Sequence, residues 1–333
     1  MFSRSVHQWG RESVGGVVVL ICFVLFSSLC HAQGYPSRAV DIIVPYAAGG
    51  GVDTFFRHVR EGLAKELNVS VSIVNRTGGG GVVGSSFVAN SKADGYTLLG
   101  QELMSFIMPQ IITPKTVPFD VLKDFKNIAH FAYEPLILVT RPDLEPKTIE
   151  DLIAYAKKNP GKLLGGTSGI GTQNRVDLEL LKIATGTNIR FVSFSGGGEV
   201  LVNLLGGHVD LTFSTLTVSR PHIKAGKLRA LASLSAVRLP EFPDLPTTRE
   251  KGFGDVSINM NYGLFGPKDL PSEITERWSK AANTLLKSSE VVANLNRLGY
   301  VIDFLSPDQL QDRMAKDFGL YTDVAKKAGL IEK

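Results

Sequence analysis

The stretch Asp41-Ile-Ile-Val-Pro-Tyr-Ala-Ala-Gly49-Gly50-Gly51-Val-Asp53 runs from an apolar strand through three glycines into a helix. The same device follows at once in Ser72-Ile-Val-Asn-Arg-Thr-Gly78-Gly-Gly-Gly81-Val-Val-Gly84. A glycine run at a strand-to-helix corner lets the backbone approach a ligand and aims the unpaired N–H groups of the first helical turn at it. Such an end behaves like about half a positive charge and favours an anion by roughly 0.3–1 kcal/mol when exposed, more when partly buried. Two ends converging on one carboxylate can hold it without a basic side chain. Neither glycine run contains one, and the nearest cations, Arg57 and Arg76, flank the loops.

Working outward, residues 40–44 read as a β-branched run interrupted only by Asp41, as expected of a buried parallel strand, and 52–67 read as an amphipathic helix with Asp53 in its first turn. A second strand at 69–74, a short helix of small residues at 82–90 and a third strand at 97–100 complete a βαβαβ unit. The loop expected after the third strand carries Gln101, Glu102 and Ser105. In a parallel sheet it opens on the same edge as the glycine loops, where Glu102 meets a ligand amine or a basic side chain, or is simply a solvated loop acid. Residues 128–140 are long enough for a strand that leaves one domain and enters another. A capped helix from Thr148 to Lys158 follows.

The strand–glycine–helix device then recurs twice. Strand 163–166 leads through Gly166-Thr-Ser-Gly169-Ile-Gly171-Thr172 to a helix ending at Thr185, and strand 190–194 leads through Ser195-Gly196-Gly197-Gly198 to a helix ending at Leu205. Further expected elements are strands at 209–213, 228–233 and 258–266, helices at 218–225 and 247–251, and two C-terminal helices opened by Pro271-Ser272 and Ser306-Pro307. Two α/β lobes joined by two crossovers imply a cleft between them, and the chain reads as a bilobed binding protein.

The first 32 residues read as a cleavable export signal: Arg4 and Arg11 precede an apolar run over 14–29, and Cys30-His31-Ala32 ends in a small residue. Both cysteines, Cys22 and Cys30, lie in that segment, so the remainder has no thiol for disulfides, metal sites or catalysis. The formal charge is +4; Arg4, Arg11 and Glu12 give the leader +1, leaving +3 for the remaining 301 residues. That is too mild for a nucleic-acid surface.

Enzymatic readings find little support in the residues. Gly79, Gly81 and Gly84 satisfy the spacing of a dinucleotide-binding fingerprint, but after the second strand rather than the first, and a poly-glycine run generates the match by itself. Ser168 and Ser195 sit in glycine loops without a nucleophile elbow, and His58, His130, His208 and His222 show no pairing with one another. No cluster with metal-ligand spacing is evident, and no metal or cofactor is expected. Arg175, four residues after Gly171, could turn inward to form a bidentate pair with a ligand carboxylate, or lie on the surface. Asp210 could face the cleft or be satisfied by nearby amides.

The ordered motifs Tyr35-Pro-Ser-Arg, Val44-Pro-Tyr-Ala-Ala-Gly-Gly-Gly-Val-Asp53, Asn75-Arg-Thr-Gly-Gly-Gly-Gly, Asp94-Gly-Tyr-Thr-Leu-Leu99, Gly169-Ile-Gly-Thr172, Leu204-Leu-Gly-Gly-His-Val-Asp210 and Pro243-Asp-Leu-Pro-Thr247 give the chain a resemblance. It resembles the Bug-type, TctC-like periplasmic solute-binding receptors of tripartite tricarboxylate transporters. The resemblance implies a two-lobed, type II-like periplasmic binding fold, each lobe a mixed and mostly parallel sheet flanked by helices. The implied domains are 33–133 with 254–333, and 134–253.

It also implies a ligand carboxylate gripped by Tyr46, Ala47, Ala48, Gly49 and Gly50 of the first loop and Gly78, Gly79, Gly80, Gly81 and Val82 of the second, with Gln101 and Ser105 beside them. Distal contacts would come from Ser168, Gly169, Thr172, Ser195, Gly196 and Gly197, to which the reading of the residues themselves adds Arg175 and Asp210 as candidates. Ala47-Ala48 stand where many members have prolines, Val82 where asparagine is usual, and Arg175 where histidine is frequent. The implied ligand is a small organic acid, amino acid or aromatic carboxylate. The implied partners are integral-membrane transporter subunits or a sensor kinase, for a periplasmic monomer that binds no nucleic acid. The alternatives left open are an exported hydrolase-like enzyme using the same cleft and a sensor feeding a two-component kinase.

Overall fold

The computed structural model describes residues 34–235, 237–239, 241–253 and 259–331; the export signal expected over 1–32 lies outside them. All the elements that follow lie within the compact unit Arg38–Lys333. Its first sheet is built on β1 (Val40–Val44), β2 (Val71–Asn75) and β3 (Thr97–Glu102), which pair in parallel with β1 at the centre. Val40, Ile42, Ile43 and Val44 are buried and only Asp41 is exposed, so the strand does not alternate along its length. The sheet continues through β10 (Met260–Pro267), β4 (Phe125–Glu134) and β11 (Val301–Leu305), all antiparallel to their neighbours, in the order β11-β4-β10-β3-β1-β2.

The second sheet has the order β7-β6-β8-β5-β9, made of β5 (Leu136–Thr140), β6 (Leu164–Thr167), β7 (Arg190–Ser193), β8 (Leu211–Thr215) and β9 (Arg229–Ser233). β6 is parallel to β7 and β8, and β5 is antiparallel to β8 and β9. The expected α/β class with two helix-flanked sheets is what the chain forms. The parallel pairs are β1 with β2 and β3 and β6 with β7 and β8; the remaining pairs, made by β4, β5, β9, β10 and β11, are antiparallel.

Helix α1 (Gly51–Leu67) lays Phe55, Phe56, Val59 and Leu63 on the first sheet, and Phe55 stacks on Tyr262 with ring centroids 4.3 Å apart. Full burial of such a side chain contributes about 1.5–3 kcal/mol. After a 3-10 turn at Gly79–Gly81 comes α2 (Val82–Ala89). Gln101 and Glu102 end β3, and α3 (Leu103–Ile112) follows directly, so the loop expected there is a helix. Nine of its ten residues are buried, including Pro109, and a helix apolar on every face shows no 3.6-residue period.

The single long strand expected over 128–140 is two strands broken at Pro135, one in each sheet. In the second lobe lie α4 (Ile149–Lys158), α5 (Gln173–Thr185), α6 (Gly197–Leu205) and α7 (Leu216–Lys224). No helix forms at 247–251; Thr247 bridges to Ser233 and the chain turns there instead. Near the C-terminus there are three helices rather than two, α8 (Ser272–Leu285), α9 (Ser289–Leu298) and α10 (Pro307–Lys327), with β11 between the last two. Leu310, Met314 and Tyr321 of α10 share a core cluster with α3 and with Val176 of α5, so a second-lobe helix inserts into the first lobe's core.

Candidate functional site

The first glycine loop is fixed from behind. Asp53, buried in the first turn of α1, accepts hydrogen bonds from the Gly49 N–H (2.9 Å), Arg57 Nε (2.8 Å) and Asn75 Nδ2 (2.9 Å), and Asn75 Nδ2 also reaches the Tyr46 carbonyl. Burial opposes ionisation of Asp53, but these partners outweigh it and hold the carboxyl below its ordinary range. The second loop has positive φ at four successive residues, Gly78 to Gly81, a run that only glycine adopts without strain. A β-carbon on Gly81 would stand 2.7 Å from the Tyr46 hydroxyl.

In the second lobe the Ser195 N–H donates to Glu199 Oε2 (2.8 Å), and Gly196 caps α6. The Ser168 N–H donates to Asn174 Oδ1 (3.1 Å), and Asn174 Nδ2 returns a bond to Ser168 Oγ (3.0 Å). Helices α1 and α6 therefore carry the same construction. Gly50 and Gly196 are the caps, neither provides a side-chain acceptor, and an acid three residues on, Asp53 or Glu199, takes the N–H just before the cap. Each resembles half of a capping box, with the acid bonded one residue before the cap and the cap hydroxyl missing. First-turn N–H groups are left for an outside oxygen.

The two half-boxes face each other. A β-carbon on Gly50 would stand 3.2 Å from the amide nitrogens of both Gly197 and Gly198, and the Ala47 N–H donates to the Ser195 carbonyl (3.2 Å). Lower in the cleft the Gln173 N–H donates to Ser105 Oγ (3.1 Å), and Gly80 lies against Ile170 and Gly169. Between these contacts is a cavity of about 60 Å³. Tyr46, Gly50, Ser105, Ser168, Thr172 and Gly197 line it, six of the residues singled out from sequence.

Ala47, Gly49, Gly196 and Ser195 form the lobe-to-lobe contact with Ala48, whose carbonyl lies against Gly198. Gly80 and Gly169 meet lower down, while Gly78, Gly79, Gly81, Val82 and Gln101 stand outside the lining. Gln101 is buried, its Oε1 accepting the Glu102 N–H (2.8 Å).

Three charged residues are placed elsewhere than toward a ligand. Arg175 pairs with Glu179 one turn on, and its guanidinium lies 3.7 Å above the Phe191 ring. Asp210 accepts from Arg141 Nε (2.9 Å) and the Leu164 N–H (2.9 Å). Glu102 is neither solvated nor ligand-facing: it is buried and caps α3, accepting the N–H groups of Met104 and Ser105. Burial pushes its carboxyl upward. Sequence reading did not single out much of the wall, namely Val52, Leu136, Val200, Leu201, Val218 and Met260 and the end of β8 from Thr212 to Thr215. The carboxyl-end rule for parallel strands could have found the last of these.

At the crossover, Glu134 is fully buried. It accepts from Thr217 Oγ1 (2.8 Å), the Thr217 N–H in the first turn of α7 (3.3 Å) and the Tyr262 hydroxyl. Burial raises its pKa to about 7 against these bonds. Asp177 is buried beside Gln173, whose Nε2 it accepts (2.9 Å), and burial followed by the charge of Glu102 lifts it well above the usual range.

The family model for the tripartite tricarboxylate transporter family receptor matches residues 55–331. A UPF0065 protein of Agrobacterium vitis is 33% identical over 94% of this chain and 91% of its own, and BugT of Bordetella pertussis is 32% identical over 90% and 91%. Among solved structures, the periplasmic binding protein BugD superposes with a TM-score of 0.85 at 29% identity, covering 90% of this chain and 100% of that one. MatC from Rhodopseudomonas palustris with bound malate gives 0.82 at 28%, covering 87% and 99%. An R. palustris protein with adipate gives 0.82 at 30%, covering 89% and 98%.

Proposed function

Because the chain belongs to the tripartite tricarboxylate transporter receptor family, we propose that it captures a small carboxylate-bearing ligand in the cleft between its sheets and delivers it to a transporter of that type. It is a binding protein rather than an enzyme. On this reading residues 1–32 direct export to the periplasm, 33–133 with 254–333 and 134–253 are the two domains that close on the ligand, and the mature chain works as a monomer.

The observation that carries the reading is the pair of half-boxes at Gly50–Asp53 and Gly196–Glu199, which lack the same oxygen and face each other. A ligand carboxylate completes both at once and binds lobe to lobe through backbone N–H groups. Two like-signed helix ends brought nose to nose repel, and an anion between them turns that repulsion into attraction, so closure follows ligand. The malate and adipate held by two relatives are acids of the same chemistry.

Thermal-shift measurement against organic acids, amino acids and aromatic acids tests capture. One acid should raise the melting temperature with no turnover; a flat response across the panel, or product formation, would overturn the reading. Delivery is tested by uptake of the labelled acid into vesicles carrying the two integral transporter subunits, which should depend on added receptor.

A further inference from the structure

Resting on the reading that the lobes close on a carboxylate, we infer that closure also takes up a proton, held by Asp177 where α5 of the second lobe seats on α3 of the first. Val176 packs into the core cluster that contains Leu103, Met104 and Phe106 of α3 and Leu310 and Met314 of α10, so this face of α5 is buried by the other lobe. Beside it Asp177 and Gln173 stand one turn apart, and Asp177 Oδ1 accepts Gln173 Nε2 (2.9 Å). The Gln173 N–H donates to Ser105 Oγ (3.1 Å), and the Ser105 N–H donates to Glu102 Oε2 (2.7 Å). Two fully buried acids, one from each lobe, are thereby linked through Ser105 and Gln173, both of which line the cavity.

The two acids are not equivalent. Glu102 takes the Met104 and Ser105 N–H groups at the start of α3, a helix end that favours negative charge. Asp177 lies inside α5, away from its end, and its Oδ2 is buried without a hydrogen-bond partner. A buried carboxylate oxygen with no donor is costly, whereas a protonated carboxyl carries no charge to desolvate. Burial first, and then the charge of Glu102, push Asp177 toward that protonated form.

No cation offsets this. The elements packed on α5, namely α3, β6 and β8, carry no charged side chain. On α5 itself Arg175 and Lys182 both pair with Glu179, and Arg313 of α10 is held by Asp317 (2.8 Å). Tyr46, Tyr262 and Tyr321 feel the charge of Glu102, and burial keeps all three hydroxyls un-ionised.

Opening the lobes would return this face to water, where an aspartate titrates near about 3.9 and is ionised at neutral pH. The closed form then holds a proton that the open form has released, so closure, and affinity with it, strengthens as pH falls. One whole proton corresponds to about tenfold in affinity per pH unit.

Calorimetry on the mature chain at pH 6.5 and 7.5, each in two buffers of different ionisation enthalpy, counts the protons taken up per acid bound. The probe is malate or, where malate gives no melting shift, the acid of the panel above that gives the largest. The wild type should take up half a proton or more, with affinity falling roughly threefold or more between the two pH values. Asp177→Asn keeps the shape of the neutral acid, so uptake should vanish and affinity should become flat with pH, at or above the wild-type value at pH 7.5. Wild-type heats that are equal in the two buffers would overturn the inference, and so would uptake that survives in Asp177→Asn; both results leave carboxylate capture intact. A melting shift from none of the acids would instead remove the receptor reading on which the inference rests.

Discussion

Helices α4 and α10 close their own N-termini, whereas α1 and α6 leave theirs half open, and the difference is a single residue in each. In α4 the Thr148 hydroxyl accepts the Asp151 N–H while Asp151 returns a bond to the Thr148 N–H; Ser306 and Gln309 do the same for α10. In α1 and α6 the acid is kept and the cap is glycine. The remote helices are thus complete in the folded chain, and the cleft helices are complete only with an added oxygen. Helix α7 is a third case, finished by a carboxyl from another strand, Glu134 of β4. On the proposed reading, the cleft gains affinity from bonds that the fold leaves unmade.

Replacing the missing group in cis is the strongest way to break that comparison. Gly50 has φ −81° and ψ 170°, a conformation open to any residue, so Gly50→Asp should give α1 its own cap with little strain in the backbone. The new carboxylate would occupy the ligand's place, and its β-carbon would lie 3.2 Å from the Gly197 and Gly198 amides. Affinity for the best acid should fall at least 100-fold, about 2.7 kcal/mol, while the ligand-free melting temperature stays the same or rises. Calorimetry showing affinity within threefold of wild type would mean that the α1 end does not hold the ligand.

The glycine corners and both capping boxes were legible because each is local: strand, glycines and helix follow within about a dozen residues. The class followed from their repetition. Helix α3 was not legible, since burial on every side erases the period that marks a surface helix. Arg175 shows a different limit. Sequence places it near a glycine loop but not on a face, although Glu179 one turn further on was a visible competitor for it. The Arg141–Asp210 pair spans 69 positions, and nothing local announces it. The end of β8 escaped because the strand lies two residues later than the apolar run suggests, which moves Ser214 and Thr215 onto the cavity wall.

Glu134 sharpens the comparison through pH. An unfolded glutamate titrates near about 4.3, and this one is raised to about 7. Between those values the folded chain holds a proton that the unfolded chain has released, so this group makes stability fall as pH rises. The limiting slope is about 1.4 kcal/mol per pH unit for one proton. From pH 5 to pH 8 the loss from this group should be on the order of 2 kcal/mol, and Glu134→Gln should flatten that part of the profile. Urea midpoints at the two pH values decide it; an unchanged profile would mean that the carboxyl capping α7 is ionised throughout.

The smallest effect is expected where a helix already completes itself. Thr148→Ala removes the hydroxyl half of the α4 box and converts it to the half-box form seen at α1 and α6. Stability should drop by about 1 kcal/mol, readable as a lower urea midpoint. Ligand affinity should stay within twofold, because the cavity is not lined by α4. The variant separates two consequences of an open helix end. If an unfinished box were sufficient to recruit an anion, Thr148→Ala would acquire a second, weak carboxylate site, visible in calorimetry as additional stoichiometry. A single site in the variant places the selectivity in the opposition of two unfinished ends across a closing cleft, since one end alone offers an anion only about half a charge in open solvent.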